Sequence, residues 1–325
     1  MVNKKMAKRI LAVLLAVALL VLPALISDRY IMTLIDQILI FIVAVLGLNY
    51  ITGLTGQNNM GMAGIFSIGA YFSAIFTMRT GLSPFLGVLL CIPVGLLIGQ
   101  LLGRPSLRVK GVYLAMSTMM FGEIVRLVIN NLDWLTSGSN GIRNIPRFSI
   151  FGYVLKWERQ QYYIYLAVCV LALLITKMVF DGKWGREFRS IRDNEDGVAS
   201  CGIDIAKTKV TAFTMCAIFG CVAGGLYAHL MGYIQPAIFD FNFMVKFFMM
   251  IMLGGIGTIS GSIFGAILVV VLPEALRSVG DWYYMIFAIL NLLIILFLPN
   301  GIVSIKDHAV NGYRKIKAKK GETAK

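Results

Sequence analysis

Residues 181–209 read Asp181-Gly-Lys-Trp-Gly-Arg-Glu-Phe-Arg-Ser190-Ile-Arg-Asp-Asn-Glu-Asp-Gly-Val-Ala-Ser200-Cys-Gly-Ile-Asp-Ile-Ala-Lys-Thr-Lys209, a polar, basic stretch between long apolar runs. Within it Phe188, Ile191, Val198 and Cys201 recur at helical spacing, which predicts one short amphipathic helix over 185–202 with those residues on a single face. Such a helix beside a membrane offers a docking surface.

The rest of the chain sets the class. Of 325 residues, 58% are hydrophobic and 14% charged, and the apolar runs repeatedly reach the ~20 residues that a helix needs to cross a bilayer. A spanning β-barrel would instead show ~10-residue alternating segments. The chain therefore reads as an all-α polytopic membrane protein, surrounded by lipid. Its net charge of +14 comes from residues in the termini and between apolar blocks, where topology control explains them; no basic–aromatic surface remains for nucleic acid.

Apolar segments near 10–26, 32–53, 59–78, 84–102, 113–131, 162–180, 209–231, 241–256, 258–277 and 282–299 give about ten crossings, with eight or nine left open. If the chain starts inside, the inner segments receive Lys4, Lys5, Lys8 and Arg9; Arg104, Arg108 and Lys110; Lys183, Arg186, Arg189, Arg192 and Lys207; and the tail from Lys306 to Lys325. The outer loops receive fewer, chiefly Arg29, Arg79, Arg143, Arg147, Lys156, Arg159 and Arg277, so both termini are expected to be cytoplasmic. The first run lacks a clear small-x-small cleavage site after Pro23 and reads as an uncleaved anchor. One membrane domain over 1–305, with 181–208 as its cytoplasmic segment, and a basic tail over 306–325 complete the layout.

Three small-x-x-x-small series, Gly95/Gly99/Gly103, Gly257/Gly261/Gly265 and Gly220/Gly224, predict close helix packing, because missing side chains let backbones approach where lipid supplies no hydrophobic drive. The segment Gly53-Leu-Thr-Gly-Gln-Asn-Asn-Met-Gly-Met-Ala-Gly64 has two readings: an unwound stretch lining a polar path through Gln57, Asn58 and Asn59, or an ordinary cytoplasmic turn. A second Gly-rich interruption, Leu253 to Gly261, hints at an internal repeat. Glu123, mid-segment with Arg126 three residues on, is placed to form a same-helix ion pair. His229, close to an outer interface, reads as a hydrogen-bonded packing residue.

No catalytic motif, metal cluster or cofactor box appears. The five cysteines form no Cys-x-x-Cys, and Gly202-Ile-Asp-Ile-Ala-Lys-Thr208 lacks the glycine before its lysine that a phosphate loop requires. Energy for active transport would have to come from a partner subunit or an ion gradient.

Several fragments together resemble the permeases of branched-chain amino acid ABC importers, of the LivM type: Gly-Leu-Thr-Gly-Gln at 53–57 with Gly69-Ala-Tyr71; Tyr113 through Phe121-Gly-Glu-Ile-Val-Arg126; Asn130-Asn131; Gly141-Ile142; Gly185-Arg186 through Gly202-Ile-Asp204; Leu253-Gly-Gly-Ile-Gly257; and Pro299-Asn-Gly301. The likeness runs from about residue 35 to Gly301.

The resemblance implies a ten-helix importer-permease fold of type II-like form with discontinuous helices. It implies a bacterial inner-membrane assembly with a sister permease, two cytoplasmic ATPase subunits and an extracytoplasmic solute-binding protein. It also implies that Arg186, Phe188, Ile191, Glu195, Asp196, Val198 and Gly202 belong to the ATPase-coupling segment, with Gln57, Asn58, Asn59 and Glu123 as candidates for the path. Asp196-Gly197-Val198 and Gly202 fit the family's coupling pattern loosely, and Met62 stands where relatives commonly carry histidine. Leucine, isoleucine and valine are the implied substrates; other amino acids, urea or short amides are the alternatives within the family. An ion-coupled carrier and a purely structural subunit are the rival functions outside it.

Overall fold

The computed structural model describes residues 20–23, 28–150, 153–154, 158–276, 289 and 301. The spans expected at 10–26 and 282–299 and the tail at 306–325 lie wholly or largely outside them.

Helix α1, Arg29–Leu48, starts where the Asp28 carboxylate accepts the Tyr30 N–H, and continues as a π-helical turn over Asn49–Thr55. Gly56 then ends it with φ 70°, a left-handed conformation that glycine adopts without strain. Helix α2 is Met62–Thr80, α3 Pro84–Ser106, α4 Val112–Asn131 and α5 Glu158–Asp181. Two short helices follow, α6 Lys183–Asp193 and α7 Glu195–Ser200. Helix α8, Ile205–Met231, begins on an Asp204 side chain that accepts the Lys207 N–H. Helices α9, Phe241–Gly254, and α10, Ile259–Leu276, close the described part.

Seven helices among the described residues are long and apolar enough to cross a membrane, which makes this an all-α, multi-pass membrane protein. The span expected at 241–256 is different. Helix α9 has 14 residues and so is about 21 Å long at ~1.5 Å per residue, short of the ~30 Å hydrocarbon layer.

Helix α8 sits at the centre against α1, α2 and α3. Gly95, Gly99 and Gly103 of α3 face it in turn: a Cβ on Gly95 would lie 2.6 Å from the Ile218 Cα and one on Gly103 3.1 Å from the Val210 Cα, while Gly99 meets Thr214. These contacts run antiparallel along α8. The Gly257/Gly261/Gly265 series is corrected: Gly257 lies in the turn before α10 with φ 78°, and only Gly261 and Gly265 share the helix, where they meet the α9 end at Gly254 and Met250. A sequence spacing of four does not reveal that the helix starts two residues after the first glycine. Phe41, Phe66, Tyr227, Phe239, Phe243 and Phe247 interlock where α1, α2, α8 and α9 converge, with ring centroids 5.0 Å apart for Phe243–Phe247 and 5.4 Å for Phe66–Tyr227.

At the far end of α8 from α6, strand β1 (Ile142–Arg143) pairs antiparallel with β4 (Tyr233–Ile234), and β2 (Ser149–Ile150) pairs with β3 (Tyr153–Val154). His229 is fully buried beneath this cap between the Ser73 hydroxyl, 2.9 Å away, and the Pro146 carbonyl, 2.7 Å away.

Candidate functional site

Three polar features stand out in the bundle: the α6–α7 segment, the two helix breaks that it covers, and a charged cavity between α4 and the start of α9.

The amphipathic segment is two helices rather than one. Asn194 adopts an extended conformation and its side chain accepts the Gly197 N–H at 3.0 Å, which ends α6 and starts α7. Asn caps a helix well because its short amide satisfies an N–H that has no intrahelical partner. Phe188, Ile191 and Val198 are buried within this chain, while Cys201 lies beyond α7 and is exposed. The apolar face is therefore used up on the bundle itself: α6 packs on the end of α5 and on the π-helical turn of α1. The outward face carries Arg186, Asp193, Asp196, Ala199, Ser200 and Gly202, all exposed.

The arginines of α6 serve the helix ends beneath them. The last carbonyls of a helix have no intrahelical donor, and a cation there also meets the negative end of the helix dipole. Arg189 donates to the Phe180 carbonyl of α5 at 3.0 Å, with its guanidinium over the Phe180 ring. Arg192 donates to the Gly53 carbonyl of the α1 extension at 2.9 Å.

Below Arg192 the two breaks are tied together by Asn49, which is wholly buried. Its amide nitrogen donates to the Thr258 carbonyl and the Ser262 hydroxyl, both at 2.9 Å, and its oxygen accepts the Gly257 N–H at 2.9 Å. A Cβ on Gly53 would collide with Asn49 and come within 2.8 Å of the Gly257 nitrogen, so glycine is required for this approach.

A cavity of about 420 Å³ opens beside these residues, lined by Thr52, Thr55, Gln57 and Asn58 from the first break, Lys110, Lys209, and Ile191, Arg192 and Glu195 from the segment. Glu195 pairs with the buried Lys209 and, at 3.3 Å, with the exposed Lys110. Burial pushes the Glu195 carboxyl up, but the hydrogen bonds and charges of the two lysines outweigh it and hold the group below the usual glutamate value. The Thr52 hydroxyl and the Gln57 amide oxygen are buried here without a hydrogen-bond partner among the described residues.

The break after α1 does not run flat along one end of the bundle. Asn59 is buried, accepts the Gly61 N–H at 2.8 Å, and reaches the Cys216 sulfur at 3.7 Å; Met62, the first residue of α2, also faces Cys216. Cys216 is near the middle of α8, so residues 56–61 rise into the bundle before the helix resumes. The three adjacent amides are thus separated: Gln57 and Asn58 line the cavity, and Asn59 is a packing residue on its inner side.

Glu123 lies elsewhere. It and Arg126 form the i, i+3 ion pair, with the Arg126 Nε 3.0 and 3.1 Å from the two carboxylate oxygens. They line a second cavity of about 500 Å³ with Met119, Met120, Ala237, Phe239, Asp240 and Met244. Asp240 caps α9 by accepting the Phe243 N–H at 2.9 Å, so a helix N-terminus opens into this cavity. Asp240, Asn49, Arg192 and Lys209 are site residues that sequence spacing does not single out. Asn49 had a signal in hindsight, a lone amide in an apolar run, which is costly unless partnered.

A multi-pass helical bundle with broken helices, buried polar ties at the breaks and charged residues lining cavities is the arrangement that membrane transport permeases use. The profile of the family described as "Branched-chain amino acid transport system / permease component" matches residues 30–298, and the chain belongs to that family of ABC transport-system permeases. It is 32% identical over 292 residues to the high-affinity branched-chain amino acid transport system permease protein LivM of Escherichia coli K12, covering 82% of this chain and 68% of that protein. It is 27% identical over 243 residues to the probable LivM of Methanocaldococcus jannaschii, covering 68% of each. It is also 24% identical over 280 residues to LivH of Salmonella typhimurium, covering 79% of this chain and 89% of that one. No solved structure matches the chain.

Proposed function

We propose that this chain is one of two permease subunits of an ATP-driven importer of branched-chain amino acids. In this reading it sits in the bacterial inner membrane with both termini and α6–α7 on the cytoplasmic side, beside a sister permease, two ATPase subunits and an external solute-binding protein. The observation that carries the reading is the seating of α6–α7 on the ends of α1 and α5: its apolar face is buried in the permease, and its charged face, with Arg186 and Asp196, is free for the ATPase. A force applied to that face reaches two membrane helices through direct contacts. Phe188, Ile191 and Val198 are then the anchors of the segment, and Glu195 and Gly202 its internal tie and exit turn.

The path runs along the α4 face that carries Met120, Glu123 and Leu127. Glu123 and Arg126 retain 42% and 27% side-chain exposure in this chain. Charge facing lipid at this depth costs about 3 kcal/mol or more, so the pair faces the sister permease or water. Gln57 and Asn58 line the inner mouth.

The test is uptake of labelled leucine in a strain lacking this gene. The expected result is saturable uptake restored only when the chain and both ATPase subunits are present, competed by isoleucine and valine. Uptake that persists without the ATPases and vanishes with the ion gradient would make the protein a secondary carrier. Restoration of urea or amide uptake instead would reassign the substrate.

A further inference from the structure

We infer that Arg192 is the positioning residue that links movement of the α6–α7 segment to both helix breaks. The inference rests on the reading of α6–α7 as the ATPase-coupling segment. Three observations place the residue at this junction. The Arg192 stem lies on Gly56, where a Cβ would come 3.0 Å from its Cγ; its guanidinium donates to the Gly53 carbonyl at 2.9 Å; and a Cβ on Gly257 would lie 3.3 Å from its Nη1. One side chain from the segment thus touches the end of α1, the left-handed residue that stops it, and the turn between α9 and α10.

The chemistry suits a movable joint. The Gly53 carbonyl is in the last turn of its helix, where no N–H of the same helix reaches it, so its partner must come from outside. A guanidinium supplies a charge-assisted bond, stronger than a neutral one, and its several donors let it pivot between neighbouring carbonyls without leaving one bare. Asn49 passes the constraint on, since it holds Gly257, Thr258 and Ser262 on the other side of Gly53. Displacing α6 therefore pulls on the C-terminal end of α1 and, through Asn49, on the α9–α10 turn. Arg189 makes the parallel contact with α5, but its target, the Phe180 carbonyl, ends an unbroken helix that leads directly into the segment.

The test uses the complete assembly, purified and reconstituted in vesicles with the solute-binding protein. Arg192→Met keeps the stem and removes the donors; Arg192→Lys keeps one charged donor. The expected result is that Arg192→Met lowers the amount of leucine imported per ATP hydrolysed by about tenfold, the effect of one charge-assisted bond, while ATP hydrolysis continues, and that Arg192→Lys recovers part of the ratio. A residue needed only for folding would lower uptake and hydrolysis in proportion. An unchanged ratio in Arg192→Met, or in Arg192→Lys if the methionine variant fails to insert, overturns the inference. In parallel, Asp196→Cys is cross-linked to the ATPase subunits. A cross-link with an unchanged Arg192→Met ratio rejects the joint alone; absence of a cross-link rejects the docking reading and the joint with it.

Discussion

Asn49 shows how much one side chain carries in a lipid-embedded bundle. It closes three hydrogen bonds between segments more than two hundred positions apart in sequence, one of them to the fully buried Ser262 hydroxyl. Asn49→Ala removes all three bonds and leaves the Gly257 N–H without its acceptor, at about 1–3 kcal/mol for a buried group, and is expected to lower the unfolding temperature of the detergent-solubilised protein by several degrees. Equal stability of the two proteins would contradict the assignment. Glu195 allows a test by pH. Its carboxylate is held below the usual glutamate value, so its contribution is complete above about pH 4.3 and is lost as pH falls through the lower, folded value. Glu195→Gln is expected to be less stable at neutral pH, because the buried Lys209 ammonium loses its charged partner. The gap between the two proteins, read by thermal unfolding across pH, should close on acidification; a gap independent of pH would mean that the Lys209 link contributes nothing.

Among the elements, the glycines differ in what they do, although the sequence prints them alike. Gly64 and Gly122 meet where α2 crosses α4, but unequally. A Cβ on Gly64 would lie 2.6 Å from the Gly122 Cα, whereas one on Gly122 would find ordinary contact at 3.6 Å. Gly64→Ala is therefore expected to reduce the amount of folded protein in the membrane severalfold, while Gly122→Ala leaves it unchanged, as measured by size-exclusion profiles of the purified variants. The reverse ranking would show that the two helices are packed differently. The Gly95/Gly99/Gly103 series was legible as a stripe because a regular helix preserves a spacing of four. Gly257 was misread for the complementary reason: a turn and a helix give the same spacing until the φ angles are known. The segment over 185–202 showed the same limit, since its apolar spacing continues through Asn194, where the chain breaks.

For the whole molecule the open surface is the informative part. Met116, Met120, Ile124, Leu127 and Val128 expose one long face of α4, with Glu123 and Arg126 beside it. If that face meets the sister permease, a thiol probe should modify Val128→Cys in the chain expressed alone and be excluded once the sister subunit is co-expressed. Reaction in both settings would move the interface elsewhere. Orientation has a test that needs no substitution. Cys201 is exposed and Cys91, Cys169, Cys216 and Cys221 are buried, so an impermeant maleimide should label the chain expressed without its ATPases in inverted vesicles and leave it unlabelled in right-side-out ones. Labelling of the opposite kind would place α6–α7 outside.

Composition, run length and charge asymmetry were enough for an all-α membrane bundle, because a bilayer admits few solutions and each leaves its mark in a contiguous stretch of chain. Family fragments added the transport system, and a Glu-x-x-Arg spacing supplied one ion pair. Which polar residues belong together was decided only by the fold. Asn49 and Gly257, and Arg192 and Gly53, are joined across intervening helices, and Lys209 and Glu195 across the turn between α7 and α8; no local pattern records such a pairing. Burial direction was likewise undetermined: an amphipathic helix advertises an apolar face, but whether that face covers its own chain or a partner depends on which surface lies within reach, and here the open ends of α1 and α5 were nearest.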